Sequence, residues 1–344
     1  MEEQARPDEK FRFVRMTAAV SAIALGLIGL AGVLAARPAQ PTRAPGPSPT
    51  PFQAGHWEER TKLPTAVSED AVAAVDDKLY VLGGYALGSF AQPLVQAYDP
   101  VTDAWKSRAP MPRGLNHAAV TAFDGKIYTF GGFVEQNRNA VADCNVYDPV
   151  SDKWSAIAPL VNKRGAIAVA VLDGKIHAVG GRDVLSVGEH DVYDPASNTW
   201  SSAQPLPQGE GRDHLGLLAY EGKLYAIAGR FNDFNHNTNL VERYDPATDR
   251  WSELPRIPTA RSGGAAVVYH GLLLYIGGER KGGTFTENEA FDPVAGRWLK
   301  LTPLALGRHG TGAALIGDAV YLPAGGPVNG GKEQSKTLFV YSQP

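Results

Sequence analysis

One cysteine, Cys144, stands among 344 residues, so no intramolecular disulfide can form. An exported domain of this length can bury enough core to manage without covalent staples. Strong charge of either sign is also missing, since 33 Lys and Arg against 36 Asp and Glu leave a formal net charge of −3. With no basic run, nucleic acid is excluded as a partner. The chain has no Walker loop, no Cys-x-x-Cys pair and no nucleophile elbow, which removes P-loop, thiolate-zinc and α/β-hydrolase chemistry. Lys281-Gly282-Gly283 is followed by no helical pattern and reads as a hairpin loop rather than a phosphate cradle.

What is present begins with an apolar run. Met16 to Ala36 is 21 residues without a formal charge, about 30 Å as a helix, the thickness of a bilayer core. Lys10, Arg12 and Arg15 precede it and Arg37 follows, a bias that places residues 1–15 in the cytoplasm and the rest outside. The run is longer than a cleaved signal's core, so a retained signal-anchor is expected, with a secreted or periplasmic product after cleavage as the alternative. Residues 37–55 are dense in Pro, Ala, Thr and Ser and read as an extended linker. Residues 56–344 form the exported domain.

That domain is periodic. Its six tryptophans, Trp57, Trp105, Trp154, Trp200, Trp251 and Trp298, are 48, 49, 46, 51 and 47 residues apart. A period near 50 indicates a propeller. Each of the last five closes one phrase, an aromatic followed by Asp-Pro and a short turn, as in Tyr98-Asp99-Pro100 to Trp105. The turn holds Asp103, Asp152, Asn198, Asp249 or Gly296 where a left-handed residue is required. Upstream stands a tighter hairpin, Asp76-Asp77, Asp124-Gly125 and their equivalents, suited to two-residue turns. The next strand ends in a glycine pair, Gly83-Gly84, Gly131-Gly132, Gly180-Gly181 and Gly277-Gly278, with Ala228-Gly229 and Ala324-Gly325 in the other two repeats. Cys144 takes the place of Val95, Val241 and Leu338 and is expected to be a buried small side chain.

The glycine pairs, the Tyr before Asp-Pro and the Trp resemble the kelch-repeat family across residues 56–344. The resemblance implies an all-β, six-bladed β-propeller. The last repeat stops before its outer strand, and the chain starts with an orphan one around Trp57, so an N-terminal outer strand is expected to close the ring. His177 and Leu274 stand where most repeats have Tyr.

The same resemblance implies that the loops after each glycine pair and before each inner strand share the mouth of the central channel. Sixteen residues before each pair stand Val67, Leu115, Arg164, Arg212, Arg261 and Arg308, with Arg113 near Leu115. Arg182 and Arg230 follow two of the pairs. A ring of guanidinium forks suits carboxylate or phosphate, so these arginines are candidate ligand-binding residues for an acidic partner. Fourteen residues before the pairs stand Glu69, His117, Ala166, His214, Gly263 and Gly310. Glu69, His117 and His214 complete the candidate set. Two His and a carboxylate can bind zinc or iron, yet no metal and no cofactor are expected. Copper radical oxidases share the fold, but Tyr269-His270 falls in a tight turn and Cys144 in a strand. The expected function is recognition of a protein or glycan outside the membrane. The alternative is a sugar-directed enzyme such as a sialic-acid mutarotase, for which Glu210, Arg212 and His214 share one loop.

Overall fold

A computed structural model describes residues 54–86, 88 and 90–343. The apolar run at 16–36, and with it the expected anchor, lies outside the described residues; within them no helix is long and apolar enough to cross a membrane. The one helix described is a 3₁₀ turn, Phe234–His236.

Six four-stranded antiparallel sheets form the blades. The first runs Ala71–Val75, Lys78–Leu82, Val95–Asp99 and Ala104–Ser107 from axis to rim. The sixth takes strands from both ends of the chain. Ala314–Ile316, Ala319–Pro323 and Leu338–Ser342 are completed by His56–Arg60, paired so that Trp57 faces Tyr341. Inner strands contact each other in circular order around the axis.

Among the described residues the apolar core has six large clusters, one between each pair of neighbouring blades, and a small seventh of Phe133, Ala140 and Ala166. Alternation produces this. Ala71, Ala73 and Val75 are buried while Val72 and Ala74 line the axial channel. Small side chains are needed there because six inner strands converge on one line.

The rim explains the tryptophans. Each indole Nε1–H donates to a carbonyl near the outer strand of the preceding blade: Trp105 to Thr61 at 2.8 Å, Trp154 to Ala109 at 3.0 Å, Trp200 to Ala158 at 2.9 Å, Trp251 to Gln204 at 2.8 Å and Trp298 to Pro255 at 2.7 Å. Trp57 donates to Thr302 at 2.9 Å in the same way. Asp103, Asp152, Asn198 and Asp249 are left-handed, and their side chains also work. Asp152 accepts from the Tyr147 hydroxyl and from the Ala109 amide of the blade before it.

Blade three carries an irregularity with a measurable consequence. His177 donates from Nδ1 to Nε2 of His190 at 2.8 Å, and His190 donates from Nδ1 to the Gln204 carbonyl at 3.0 Å. Burial first, then the neighbouring imidazole, lowers the His177 pKa from 6.5 to about 4. The unfolded chain therefore binds this proton more readily than the native one. The contribution is whole above pH 6.5 and is lost as pH falls toward 4, a loss of about 2 kcal/mol at pH 5. His177→Tyr, which restores the residue of most blades, should flatten the fall in melting temperature between pH 7 and pH 5. A slope equal to that of the wild type would refute the assignment.

Candidate functional site

The polar end of the axis is assembled from one position per blade. Glu69, His117, Ala166, His214, Gly263 and Gly310 each precede an inner strand. All six have φ between +52° and +65°. Their backbones form a belt: His117 N–H donates to Glu69 O at 3.0 Å, Ala166 to His117 at 3.0 Å, His214 to Ala166 at 3.2 Å, Gly263 to His214 at 2.9 Å and Gly310 to Gly263 at 2.9 Å. Asp70 N–H, donating to Gly310 O at 3.2 Å, returns it to the start. A left-handed backbone costs an ordinary residue about 1–2 kcal/mol, and such strain clusters at functional sites.

The belt brings Glu69, His117 and His214 together from three blades. One ligand atom from each lies within 4.8 Å of the others. A cavity of about 130 Å³ at this level is lined by the six belt residues and their successors. It shares Asp70, Ala118, Ile167, Leu215, Gly264 and Thr311 with an axial channel of about 470 Å³ lined by the inner strands. The layout is an apolar well with convergent polar groups at its end. Gly310 is needed for it, since a Cβ there would stand 2.5 Å from the Glu69 carboxylate.

Each imidazole is oriented by a neighbour. His117 donates from Nδ1 to Asn116 Oδ1 at 2.7 Å, and that oxygen also accepts from the Tyr85 hydroxyl at 2.9 Å. His117 Nε2 then faces Glu69 at 3.1 Å. His214 donates from Nδ1 to Asp213 at 2.5 Å and accepts at Nε2 from Arg230 at 3.0 Å. Burial, then the Arg230 charge, lowers the His214 pKa to about 4, so it is a neutral imidazole. Burial alone would raise the Glu69 pKa, but the His117 and His309 rings outweigh it and hold the carboxylate well below its usual range. Burial dominates at Asp70 and raises it well above the ordinary value.

The ring of arginines requires correction. Arg164, Arg212, Arg261 and Arg308 are 0–2% exposed and are consumed by the fold. Arg164 Nε donates to Gly180 O at 3.0 Å, Arg212 to Ala228 at 2.6 Å and Arg261 to Gly277 at 2.8 Å. Their forks pair within the blade, Arg164 with Asp191 at 2.7 Å and Glu189 at 2.9 Å, Arg212 with Glu242 and Arg261 with Glu289. Arg308 donates to Ala324 O and Thr337 and lies 4.3 Å from the Phe339 ring centre. Arg164, Arg212 and Arg261 are each paired to a carboxylate of their own blade, whereas the buried Nε of Arg308 makes no hydrogen bond. Arg113 is exposed at the rim, 3.0 Å from Asp143. Arg182 is spent on the carbonyls of Asn232 and Val184. Arg230 alone of these arginines joins the axial cluster, between Asp213 at 3.0 Å and Glu279 at 2.7 Å.

Asp213, Glu279 and His309 complete the axial cluster. Their signal lies in the intervening position. Fifteen residues before the glycine pairs stand Ser68, Asn116, Gly165, Asp213, Ser262 and His309, polar in five blades. Each bridges by backbone to the residue after the pair: Tyr85, Phe133, Arg182, Arg230, Glu279 and Gly326. That bridge sets Asp213 beside Arg230.

The family model for N-acetylneuraminate epimerase matches residues 61–319. Alpha-scruin of Limulus polyphemus is 32% identical over 122 residues, 33% of this chain and 13% of that protein. Kelch-like protein 35 of Mus musculus is 30% identical over 117 residues, 34% of this chain and 20% of that one. The chain thus spans at most a fifth of either relative. The solved structure titled "Structure of YjhT" superposes with a TM-score of 0.69 at 18% identity, over 81% of this chain and 95% of that one, which shows the fold.

Proposed function

The chain belongs to the N-acetylneuraminate epimerase family of kelch-repeat propellers, and from that premise we propose that it interconverts the anomers of a cyclic sugar at the polar end of its axial channel. The observation that carries this reading is the convergence of Glu69, His117 and His214 on strained backbone at the end of an apolar well. Ring opening at an anomeric carbon needs a base for the anomeric hydroxyl proton and an acid for the ring oxygen as the carbon–oxygen bond breaks. Rotation and reclosure reverse both transfers. Glu69 and His117 Nε2, 3.1 Å apart, are close enough to pass a proton of the required kind. His214, held neutral by burial and the Arg230 charge, can accept a hydrogen bond from the sugar if Arg230 yields.

The test is anomer equilibration of N-acetylneuraminate and of a neutral hexose, followed by exchange NMR. Wild-type protein should accelerate one of them, and His117→Ala should lower that rate about 100-fold or more while leaving a cooperative melt. Acceleration of neither sugar by folded wild-type protein would refute the reading. Recognition of a protein partner would then be favoured. Val184 and Leu185 are 76% and 63% exposed on a blade-three loop, and Leu185 borders surface cavities of about 740 and 430 Å³.

A further inference from the structure

We infer that Glu69, Glu279 and His309 form a divalent-cation site, suited to Zn²⁺ or Mn²⁺, where blades five, six and one meet at the axis. One ligand atom from each lies within 4.8 Å of the others. His309 Nδ1 is 3.2 Å from Glu69 Oε1 and 3.2 Å from Glu279 Oε2. Four ligands at about 2.0–2.1 Å from a tetrahedral ion stand about 3.3–3.4 Å from one another. Two edges of the trio therefore already have the spacing of a coordination shell.

The imidazole itself points to an ion. Its Nε2–H donates to the Val328 carbonyl at 2.8 Å, which leaves Nδ1 as the ligating nitrogen. The side chain is 0% exposed, and Nδ1 makes no hydrogen bond although two carboxylates flank it. It stands equally far from the two oxygens, 3.2 Å from each. Both carboxylates are held by other groups. Arg230 Nη1 takes Glu279 Oε1 at 2.7 Å, the Gly330 amide donates to Glu279 Oε2 at 3.0 Å, and Glu69 Oε2 faces His117.

Charge points the same way. Glu69, Asp213 and Glu279 are three buried carboxylates, and Arg230 is one guanidinium, an excess of two negative charges. Buried charge without a partner is costly. One divalent ion would cancel the excess. A mixed imidazole and carboxylate donor set favours Zn²⁺ or Mn²⁺ over Ca²⁺ or Mg²⁺, which take mostly oxygen. The inference is independent of anomer exchange, because occupancy is read without a sugar.

Full-length protein stripped by chelator and titrated with Zn²⁺ and Mn²⁺ should bind one ion per chain, read by plasma mass spectrometry, with a rise in melting temperature. Glu279→Gln and His309→Gln should each weaken binding about tenfold or more, and His270→Gln, in the exposed turn of blade five, should leave it within about twofold. Should the His309 variant fail to fold, Co²⁺ loaded into the wild type gives a second readout, in which the visible bands of a four-coordinate nitrogen–oxygen site are expected. Absence of stoichiometric binding by folded wild type would overturn the site. So would unchanged affinity in Glu279→Gln.

Discussion

Glu242→Ala should lower stability by about 3–5 kcal/mol, the usual cost of stranding one partner of a buried ion pair, and the melting temperature by on the order of 10 °C. Arg212 and Glu242 are 0% and 1% exposed, and their two forks meet in parallel. Without Glu242, the guanidinium keeps its bonds to the carbonyls of Ala228 and Glu210 but loses the carboxylate that takes both arms of its fork. Burial already pushes the Glu242 carboxyl upward, with the Arg212 charge pulling it back. Desolvation is therefore the larger force at this pair, and exchanging both partners should cost little. Blade two shows how. It has Leu115 where blade four has Arg212, and Asn145 in the corresponding strand. Arg212→Leu with Glu242→Asn should therefore recover most of the loss, measured by denaturant midpoint. A double variant as unstable as Glu242→Ala would show that the pair does more than fill one structural slot.

This pairing was written in the sequence and was readable. Blades three, four and five have Arg164, Arg212 and Arg261 before the inner strand, and Asp191, Glu242 and Glu289 two residues before the aromatic of the Asp-Pro phrase. Blades one and two have Val67 and Leu115 with Gln96 and Asn145. In these five blades arginine accompanies an acid and an aliphatic residue accompanies an amide; in blade six Arg308 faces Phe339 instead. Read as a row around the axis, the arginines suggested an anion site; read across each blade, they indicate an internal ion pair. The repeats themselves were legible because glycine pairs, turn dipeptides and tryptophans answer to local backbone needs. At Gly131 a Cβ would stand 2.1 Å from the Arg164 carbonyl of the next blade, so the position tolerates nothing larger.

The axial cluster was legible only in part. Glu69, His117 and His214 share a repeat position, and counting back from the glycine pairs found them. Glu279 and His309 come from two other positions, and only the backbone bridges between the strand entry and the loop after the pair bring them to the same point. No periodicity within the chain carries that geometry. The belt of left-handed residues is similarly hidden, since Glu and Ala are not residues whose presence signals a positive φ.

Deletion of residues 56–63 should abolish the cooperative melt or cause aggregation, the largest structural effect expected of any short change in this chain. Each of the other five blades takes its outer strand from the segment that follows its third strand. The sixth takes His56–Arg60, in register from His56 opposite Ser342 to Arg60 opposite Leu338. Removing it leaves Leu338–Ser342 as an open edge, with unpaired amides and carbonyls free to pair with another chain. It also removes the Trp57 indole from Tyr341 and Phe339, at ring-centre distances of 5.0 and 6.3 Å, and from the Thr302 carbonyl of blade five. Leu63, which belongs to the core between blades six and one, goes with it. Trp57→Ala separates these contributions. It keeps the backbone pairing and should cost about 3–5 kcal/mol as a large-to-small change, reduced in proportion to the indole's partial exposure. Scanning calorimetry of the full chain, Trp57→Ala and the deletion should therefore give three separated curves. A deletion variant that melts like the wild type would mean that the ring does not depend on its first strand, and the closure would fail with it.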